Sequence, residues 1–307
     1  GIGKTHLHLY AAIAMYMFND ALCWLLLLGN YGFPKMGIAG AGIAACTASW
    51  LGLVVMVIFS LKGEYNKRFK FYKRGNLSRE LVGDLLRLSV PGGIATVVVM
   101  TGFLLFTKIV SQLDAHGAMQ VSVHGVHVAA NGAATTIIIE VLSATFFSCL
   151  AFGTATATLV GQSLGAGDPD MAERYAWTSV KLGVLLFGVI GAVIFAFAPQ
   201  VMGVFSEAEA VIRVGTIPLR IVSMMGAVVA VGMILTQALF GAGETRYVMM
   251  VEMGLHFGCL VPMAWLLGMT LHLGLPGIWS AVALYATGLA GFMSVKFARG
   301  GWKKLKV

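Results

Sequence analysis

The 307-residue chain is strongly apolar: 58% of its residues are hydrophobic, 11% are charged, and the mean hydropathy is +0.86. Soluble domains have about 45–50% apolar and about 25% charged residues, so the composition excludes a soluble protein. The net charge of +8 then bears on membrane orientation rather than on nucleic-acid binding. The four cysteines lie in apolar segments without paired spacing. Metal or disulfide roles stay open, but we interpret these cysteines as small buried residues.

Eight apolar segments are each long enough to cross a bilayer core, which takes about 20 helical residues. Glycine and proline punctuate most of their ends, as in GAGDPD and LGLPG. We therefore predict an all-α polytopic membrane protein. The predicted spans are 7–29, 38–60, 86–111, 126–160, 175–198, 210–240, 248–269 and 277–296.

The segment 118–160 is long enough for two membrane spans, but the distribution of positive charges favours a single span. With one span, 17 of the 21 Lys and Arg residues lie on the same side, which the positive-inside rule makes cytoplasmic. We therefore predict one long helix, with both ends of the sequence on the cytoplasmic side. The basic segment 62–79 is interpreted as a cytoplasmic loop touching anionic headgroups, and specific binding of acidic lipid or nucleic acid is the alternative.

A weak internal repeat relates the start of the sequence to its last third at a constant offset of 240 residues. GIGKT at 1–5 matches GAGET at 241–245, and GIAGAGIAACT at 37–47 matches GIWSAVALYAT at 277–287. A common register across two helices predicts parallel six-helix repeats. Because the second copy follows four spans and the first follows none, we expect about 155 further residues upstream, in a twelve-helix protein.

The opening GIGKT also resembles the end of a phosphate-binding loop. Such a loop needs a preceding strand, an earlier glycine and a soluble βαβ unit. Here an apolar helix follows, and the twin segment replaces Lys4 with Glu244. We therefore predict a cytoplasmic turn and no bound nucleotide.

Three segments resemble the multidrug and toxic compound extrusion (MATE) transporters. LVGQSLGAGDPDMAERYAW at 159–177 resembles the signature after that family's eighth helix. ALFGAGETR at 238–246 and GIAGAGIAACTAS at 37–49 are similar to its turn after helix ten and its entry to helix six. The resemblance implies helices five to twelve of a two-lobe, twelve-helix antiporter. The implied parts are two N-lobe helices (1–61), a basic inter-lobe loop (62–85), a six-helix C-lobe (86–298) and a basic tail (299–307).

The glycine-rich turns of these motifs do not need a ligand to explain them. Glycine permits tight turns and close helix contact, and Asp168 is a predicted N-cap before Pro169. We therefore assign a structural role to the turn residues Gly161, Gln162, Gly165, Gly167, Asp168, Gly241, Gly243 and Thr245.

Glu140 is the leading candidate for proton or cation coupling. It lies in the middle of AATTIIIEVLSATFF, 21 residues before Gly161, where a charge is costly and usually functional. The resemblance implies a helix-eight glutamate of a cation-coupling site at this place. Enclosure by apolar side chains would let it carry a proton at neutral pH. The alternative is a neutral glutamic acid that is hydrogen-bonded to a neighbouring helix.

Three other residues are further coupling candidates. Asp20, beside Asn19, either faces a cavity or caps a packing contact. Glu252 and His256 lie one helical turn apart and either relay protons or form a charge held by a satisfied histidine near the cytoplasmic surface. Asn131 is a candidate for lining the cavity.

The remaining charged and histidine residues of the spans are given ordinary roles. Lys108 and Arg220 are expected to extend their charges to the outer interface. His124 and His127 are interpreted as solvated residues, and no metal site is predicted. Many bacterial members carry acids on helices seven and ten, whereas the predicted spans 86–111 and 210–240 contain none. This departure favours H+ over Na+ as the coupling ion.

The resemblance implies a secondary antiporter of the plasma membrane (the bacterial inner membrane) that exports cationic or hydrophobic compounds in exchange for an ion. We expect no cofactor and no nucleotide or nucleic acid. The expected partners are small-molecule substrates and membrane lipid, and the expected state is a monomer. One rival is a flippase for lipid-linked oligosaccharides, whose cavity should be strongly cationic. Another is an intramembrane enzyme with Glu140 or the Glu252/His256 pair as acid and base, but neither has an accompanying nucleophile or metal set.

Overall fold

The computed structural model describes residues 5–61, 78–117, 120–123 and 126–304. Within these ranges the chain is almost entirely helical. The helices are α1 (Thr5–Leu28), α2 (Ile38–Leu61), α3 (Arg79–Gly117), α4 (Ala130–Gly165), α5 (Pro169–Ala196), α6 (Ala198–Phe205), α7 (Glu209–Met224), α8 (Gly226–Gly241), α9 (Thr245–Leu255), α10 (Val261–Trp265) and α11 (Gly274–Ala298). Short 3-10 turns occupy Asn30–Gly32 and Gly301–Lys304, and π-helical turns occupy His256–Leu260 and Leu266–Thr270.

The predicted membrane spans match the described helices in number and order. Seven helical segments in the described ranges are long and apolar enough to cross a membrane, the π turns joining α9 and α10 into one of them. The pair α7 and α8, bent by 52° at its junction, counts as an eighth span if the two helices form one broken span. The prediction of an all-α membrane protein with about eight spans is therefore confirmed.

The segment before α4 differs from the prediction. One long helix does fill the second part of 118–160, but it begins at Ala130 and not at residue 126. Strand β1 (Gln120–Val123) pairs antiparallel with β2 (Val126–Ala129), with Val123 opposite Val126 and Gln120 opposite Ala129. Valine alternation on both sides of a two-residue His-Gly connection favours a hairpin over a helix.

The span predicted at 210–240 is broken in the middle. Its two halves, α7 and α8, meet at Met225, and the junction packs closely on α5. A Cβ atom on Gly226 would lie 2.5 Å from the Phe187 carbonyl oxygen, and one on Gly191 would lie 2.2 Å from the Ser223 carbonyl oxygen. Glycine at both positions lets the two backbones approach where the helix bends.

The chain divides into two compact units, Gly1–Gly83 and Asp84–Val307. In the first unit, α1 packs on α2 through a row of small residues four apart: Gly40, Ala44, Ala48 and Gly52. A Cβ atom on Gly40 would lie 2.8 Å from the Leu26 carbonyl oxygen, so the helices touch backbone to backbone. The assignment of these helices to an N-lobe, and of the later ones to a C-lobe, stays a prediction.

The second unit has two apolar clusters that place its helices. One joins α5, α8 and α11 through Phe187, Leu239 and Phe297. The other joins α3, α7 and α11 through Phe106, Leu219 and Trp279, and the rings of Phe106 and Trp279 meet edge to face at 5.1 Å. These clusters fix the positions of α4, α9 and α11, which carry the candidate functional residues.

The predicted basic tail is anchored where the structure describes it. Trp302 is fully buried, stacks on Phe297 at 4.5 Å and donates a 2.8 Å hydrogen bond from Nε1 to the Phe297 carbonyl oxygen. Lys303 Nζ lies 2.8 Å from Asp170 Oδ1 and 2.6 Å from Glu173 Oε2 in the first turns of α5. Residues 299–304 therefore fold onto the helices, and the predicted tail beyond residue 304, like most of the predicted loop 62–85, lies outside the described residues.

Candidate functional site

Glu140 lies on an exposed face of α4 that is made of small and hydroxyl-bearing residues. The exposed residues of this face, which we term the polar stripe, are Thr136, Glu140, Ala144, Ser148, Ala151 and Thr154. Their three- and four-residue spacing places them on one side of the helix, where Phe147 and, near the end, Leu159 are large apolar exceptions. Helix α5 contrasts with this, because its exposed residues include Leu182, Leu185 and Val189, a surface suited to lipid tails.

The hydroxyl groups of the polar stripe are bonded to their own helix. Thr136 Oγ1 donates to the Gly132 carbonyl at 3.0 Å, Ser148 Oγ to Ala144 at 2.8 Å, and Thr154 Oγ1 to Ala151 at 2.8 Å. Glu140 has no hydrogen bond or ion pair within the part of the chain that the structure describes. The expected enclosure by apolar side chains is not found there, because the apolar side of α4, with Ala134 and Ile138, faces the core instead.

Glu252 and His256 lie together in the interior of the second unit, and a third residue, Tyr285, joins them. Glu252 is 6% exposed and His256 is 3% exposed. Tyr285 Oη donates a 2.7 Å hydrogen bond to Glu252 Oε2, and His256 Nδ1 lies 3.3 Å from the same oxygen. The rings of His256 and Tyr285 meet edge to face with centroids 4.6 Å apart. We term these three residues the Glu252 cluster.

The backbone around His256 fixes its orientation. His256 begins the π turn after α9, and its Nδ1 lies 2.9 Å from the carbonyl oxygen of Glu252. A carbonyl only accepts, so Nδ1 carries a hydrogen and Nε2 is left as the exchangeable ring nitrogen. Gly102 of α3 makes room for the ring edge, because a Cβ atom there would lie 2.4 Å from His256 Cδ2.

Sequence reasoning missed Tyr285, although the internal repeat contains a signal for it. At the 240-residue offset, Glu252, His256 and Tyr285 correspond to Ala12, Tyr16 and Ala45. The second copy thus has a glutamate and a tyrosine where the first copy has alanines, and a histidine where the first copy has a tyrosine. These three residues of the second copy form the Glu252 cluster. A search for positions where the second copy replaces an alanine with a polar residue would have included Glu252 and Tyr285.

Asp114 was also missed, because the predicted helix 86–111 ends before it, whereas α3 continues to Gly117. Asp114 is 7% exposed and accepts hydrogen bonds at the start of α4. Its Oδ1 accepts from Asn131 Nδ2 at 2.8 Å and from the Asn131 backbone N–H at 3.2 Å, and its Oδ2 accepts from the Gly132 N–H at 2.8 Å. The predicted span 86–111 contains no acidic residue, as stated above, but the longer helix α3 does. Asn131 is half-buried and tied to this carboxylate.

The other candidates lie apart from these groups. Asp20 is exposed on α1, next to Asn19, whose buried Oδ1 has no partner within the described residues. Lys108 lines a groove of about 580 Å³ with Gln112 and Trp265. Arg220 lies 5.7 Å from the Phe195 ring. The prediction for His124 falls on a residue outside the described ones, and that for His127 concerns a side chain outside them.

The turn residues take the following places. Asp168 Oδ1 accepts from the Met171 N–H at 2.9 Å and Pro169 opens α5, while Gly167 and Gly243 have φ of 79° and 81°. A Cβ atom on Gly241 would lie 2.3 Å from the Ala157 carbonyl oxygen, and one on Gly161 would lie 3.1 Å from the Gly241 carbonyl oxygen. Thr245 begins α9, and Gln162 and Gly165 are exposed on the last turn of α4.

The twin of the opening GIGKT motif is a charged turn. Glu244 Oε1 lies 2.8 Å from Lys296 Nζ near the end of α11. The same lysine lies over the Tyr247 ring at 4.8 Å. In the first copy, GIGKT at 1–5, residues 1–4 lie outside the described residues and Thr5 begins α1. Among the residues that are described, no group of three or more His, Cys, Asp or Glu side chains is placed to hold a metal ion.

Comparison with known proteins agrees with this architecture. The sequence profile of the MatE family matches residues 91–266. The probable multidrug resistance protein NorM of Thermotoga maritima is 25% identical over 100% of this chain and 63% of its own length. The probable multidrug resistance protein YoeA of Bacillus subtilis is 23% identical over 100% of this chain and 64% of its own length. The chain thus spans less than two thirds of these curated relatives.

The fold also matches solved structures. A variant of the Vibrio cholerae MATE transporter VcmN superposes with a TM-score of 0.81, at 16% identity, over 97% of this chain and 63% of that one. At this identity the likeness concerns the fold alone. The family profile covers more than half of the residues, on helices that form a multi-pass membrane protein. The chain therefore belongs to the MatE family.

Proposed function

We propose that this chain serves a secondary antiporter, not an enzyme, which exports cationic or hydrophobic compounds in exchange for H+. Membership of the MatE family supports this proposal, as do relatives that are named multidrug resistance proteins. The expected location is the plasma membrane, the inner one in a bacterium. The expected state is a monomer with both ends of the sequence in the cytoplasm.

The polar stripe of α4 is the observation that carries the proposal furthest. A membrane helix that exposed a carboxylate to lipid tails would be unfavourable, because intramembrane charges cost a few kcal/mol or more. Such a face suits a water-filled path. Glu140 gives that path a negative charge on a face whose other residues are small or hydroxyl-bearing, apart from Phe147 and Leu159. This arrangement favours cations, both protons and organic cations, over anions.

Exchange would follow from competition at the carboxylate. A proton bound to Glu140 removes the charge that attracts a cationic compound, so the two occupy the path in turn. Alternating access of two lobes then couples their movements, because each ligand favours one state of the equilibrium. One charge moving through 100 mV supplies about 2.3 kcal/mol, and one pH unit supplies about 1.4 kcal/mol per proton.

Proteoliposome transport tests this function. An imposed pH gradient is expected to drive ethidium or norfloxacin efflux, and Glu140→Gln is expected to abolish it. Glu209→Gln is the matched control, because it removes the same charge from an exposed position in the first turn of α7. Full efflux in Glu140→Gln would contradict the assignment of this residue. A Na+ gradient that drives efflux without a pH gradient would contradict the assignment of H+.

A further inference from the structure

The Glu252 cluster is a buried titratable group that the polar stripe does not explain. A carboxyl group, an imidazole and a phenol meet in the interior, joined by contacts of 2.7 Å and 3.3 Å at one carboxylate oxygen. Burying a charge is costly unless it is paired and hydrogen-bonded. A charge on the buried Glu252 carboxylate is compatible with its surroundings because Tyr285 Oη donates a hydrogen bond to it and the His256 imidazole lies 3.3 Å away.

The donor and acceptor pattern determines where a proton can come and go. His256 Nδ1–H is committed to the Glu252 carbonyl oxygen, and Tyr285 Oη–H is committed to Glu252 Oε2. This leaves the Nε2–H bond of His256 as the one that can break, with its electron pair staying on nitrogen and the proton passing to water. With the proton bound, the Glu252–His256 pair is neutral overall. Without it, one negative charge remains buried.

We propose that Glu252, His256 and Tyr285 form a proton-binding site, in which His256 Nε2 binds and releases the proton and Tyr285 positions the carboxylate. As a coupling site the cluster rests on the proposed antiport function. Its protonation is a separate property that can be measured without transport. The site lies on a different helix from Glu140 and entirely within the second unit.

Among the described residues, the ion pair and hydrogen bonds of the Glu252, His256 and Tyr285 side chains join only members of the cluster, so the response is assigned to these three groups. Helix α8 carries no titratable side chain, and α3 contributes Gly102 at the imidazole. On α11, Lys296 is paired with Glu244 at the end of the helix. Further titratable groups on the elements of the cluster are Cys259, in the same π turn as His256, and Arg246 and Tyr247 in the first turn of α9. His256 is the first residue of a π turn, and single π turns of this kind frequently occur at functional sites.

The test uses solid-state NMR of the whole protein, 15N-labelled at histidine, in lipid bilayers. The His256 signal is assigned through its contact with labelled tyrosine, since the Tyr285 ring centroid is 4.6 Å away. We expect the Nε2 resonance to change with pH from that of a protonated to that of an unprotonated ring nitrogen. Tyr285→Phe removes a hydrogen bond to a charged group and should move the midpoint about one pH unit higher, because the remaining carboxylate attracts the imidazolium more strongly.

Tyr247→Phe is the matched control. It removes another tyrosine hydroxyl between α9 and α11, which donates to the Phe292 carbonyl oxygen at 3.2 Å and touches no carboxylate. Equal midpoints in the two variants, or a wild-type His256 that does not titrate, would overturn the proposal. The wild-type titration decides the matter even if Tyr285→Phe fails to fold. If pH-driven efflux is absent but His256 titrates, the antiport function falls and the proton site stands.

Discussion

Asp114 Oδ2 accepts a 2.8 Å hydrogen bond from the backbone N–H of Gly132, so the carboxylate of one helix caps the start of another. Ala129, at the N-cap of α4 itself, offers no side-chain acceptor, and the first turn has no acidic residue. The first N–H groups of a helix need acceptors from elsewhere, and the helix dipole favours an anion there. Asp114, near the end of α3, supplies both the acceptor for these N–H groups and the negative charge at the start of α4.

Asp114→Ala is therefore expected to lower the free energy of unfolding by about 2 kcal/mol or more, because it leaves buried N–H groups without an acceptor. Asp168→Ala is the comparison, since Asp168 caps α5 at an exposed site, where the loss should be about 1 kcal/mol. Unfolding in mixed detergent, followed by circular dichroism, measures both. Equal losses would show that burial of the Asp114 cap adds nothing.

Gly241→Ala is expected to destabilise the contact between α4 and α8. Its Cβ atom would lie 2.3 Å from the Ala157 carbonyl oxygen, a distance that the backbone can relieve only by moving. Overpacking of this kind typically costs about 1–3 kcal/mol. Gly165→Ala is the control, because nothing lies within 4 Å of its added Cβ. The two melting temperatures in detergent should differ clearly, and a melting temperature for Gly241→Ala equal to the wild type would contradict the close packing.

Cysteine labelling tests whether the polar stripe meets water. Ala144→Cys and Ala151→Cys should react with a charged, membrane-impermeant thiol reagent, because a thiol needs water to form the reactive thiolate. Leu185→Cys, 66% exposed on the apolar face of α5, should react slowly in the same membranes. The background variant lacks the native cysteines Cys23, Cys46, Cys149 and Cys259. Similar rates at all three positions would argue that the stripe faces lipid.

Alkaline pH should loosen the anchored C-terminal segment. Hydrogen bonds to Asp170 and Glu173 raise the pKa of Lys303 above its ordinary value. Stability from a raised pKa is fully present below the unfolded-state pKa, about 10.4 for lysine, and is lost as pH rises through the folded-state pKa. Lys303→Met should flatten this alkaline part of the melting profile, whereas Lys181→Met, at an exposed site on α5, should leave it unchanged. Parallel profiles for wild type and Lys303→Met would refute this role.

The sequence predicts features that depend on composition and on neighbours along the chain. Span number follows from apolar length, and the Asp168 cap follows from an acid directly before a proline. Features built from distant residues were out of reach. Tyr285 meets Glu252 across 33 residues, and Asp114 meets Gly132 across 18 and a hairpin. Trp302 lies in a basic segment whose sequence predicts exposure to solvent. It is buried because its ring stacks on Phe297.

The two π turns change how the span from Thr245 to Thr270 should be aligned with related sequences. Each π turn amounts to one inserted residue, and an α-helix turns by about 100° per residue. Residues 261–265 therefore face about 100° away from where an uninterrupted helix would put them, and the second π turn shifts the last residues of the span by up to one further residue. A relative without one of these turns should show a one-residue gap at 256–260 or 266–270. Placing the gap there aligns the residues that pack against the same neighbouring helices in both proteins.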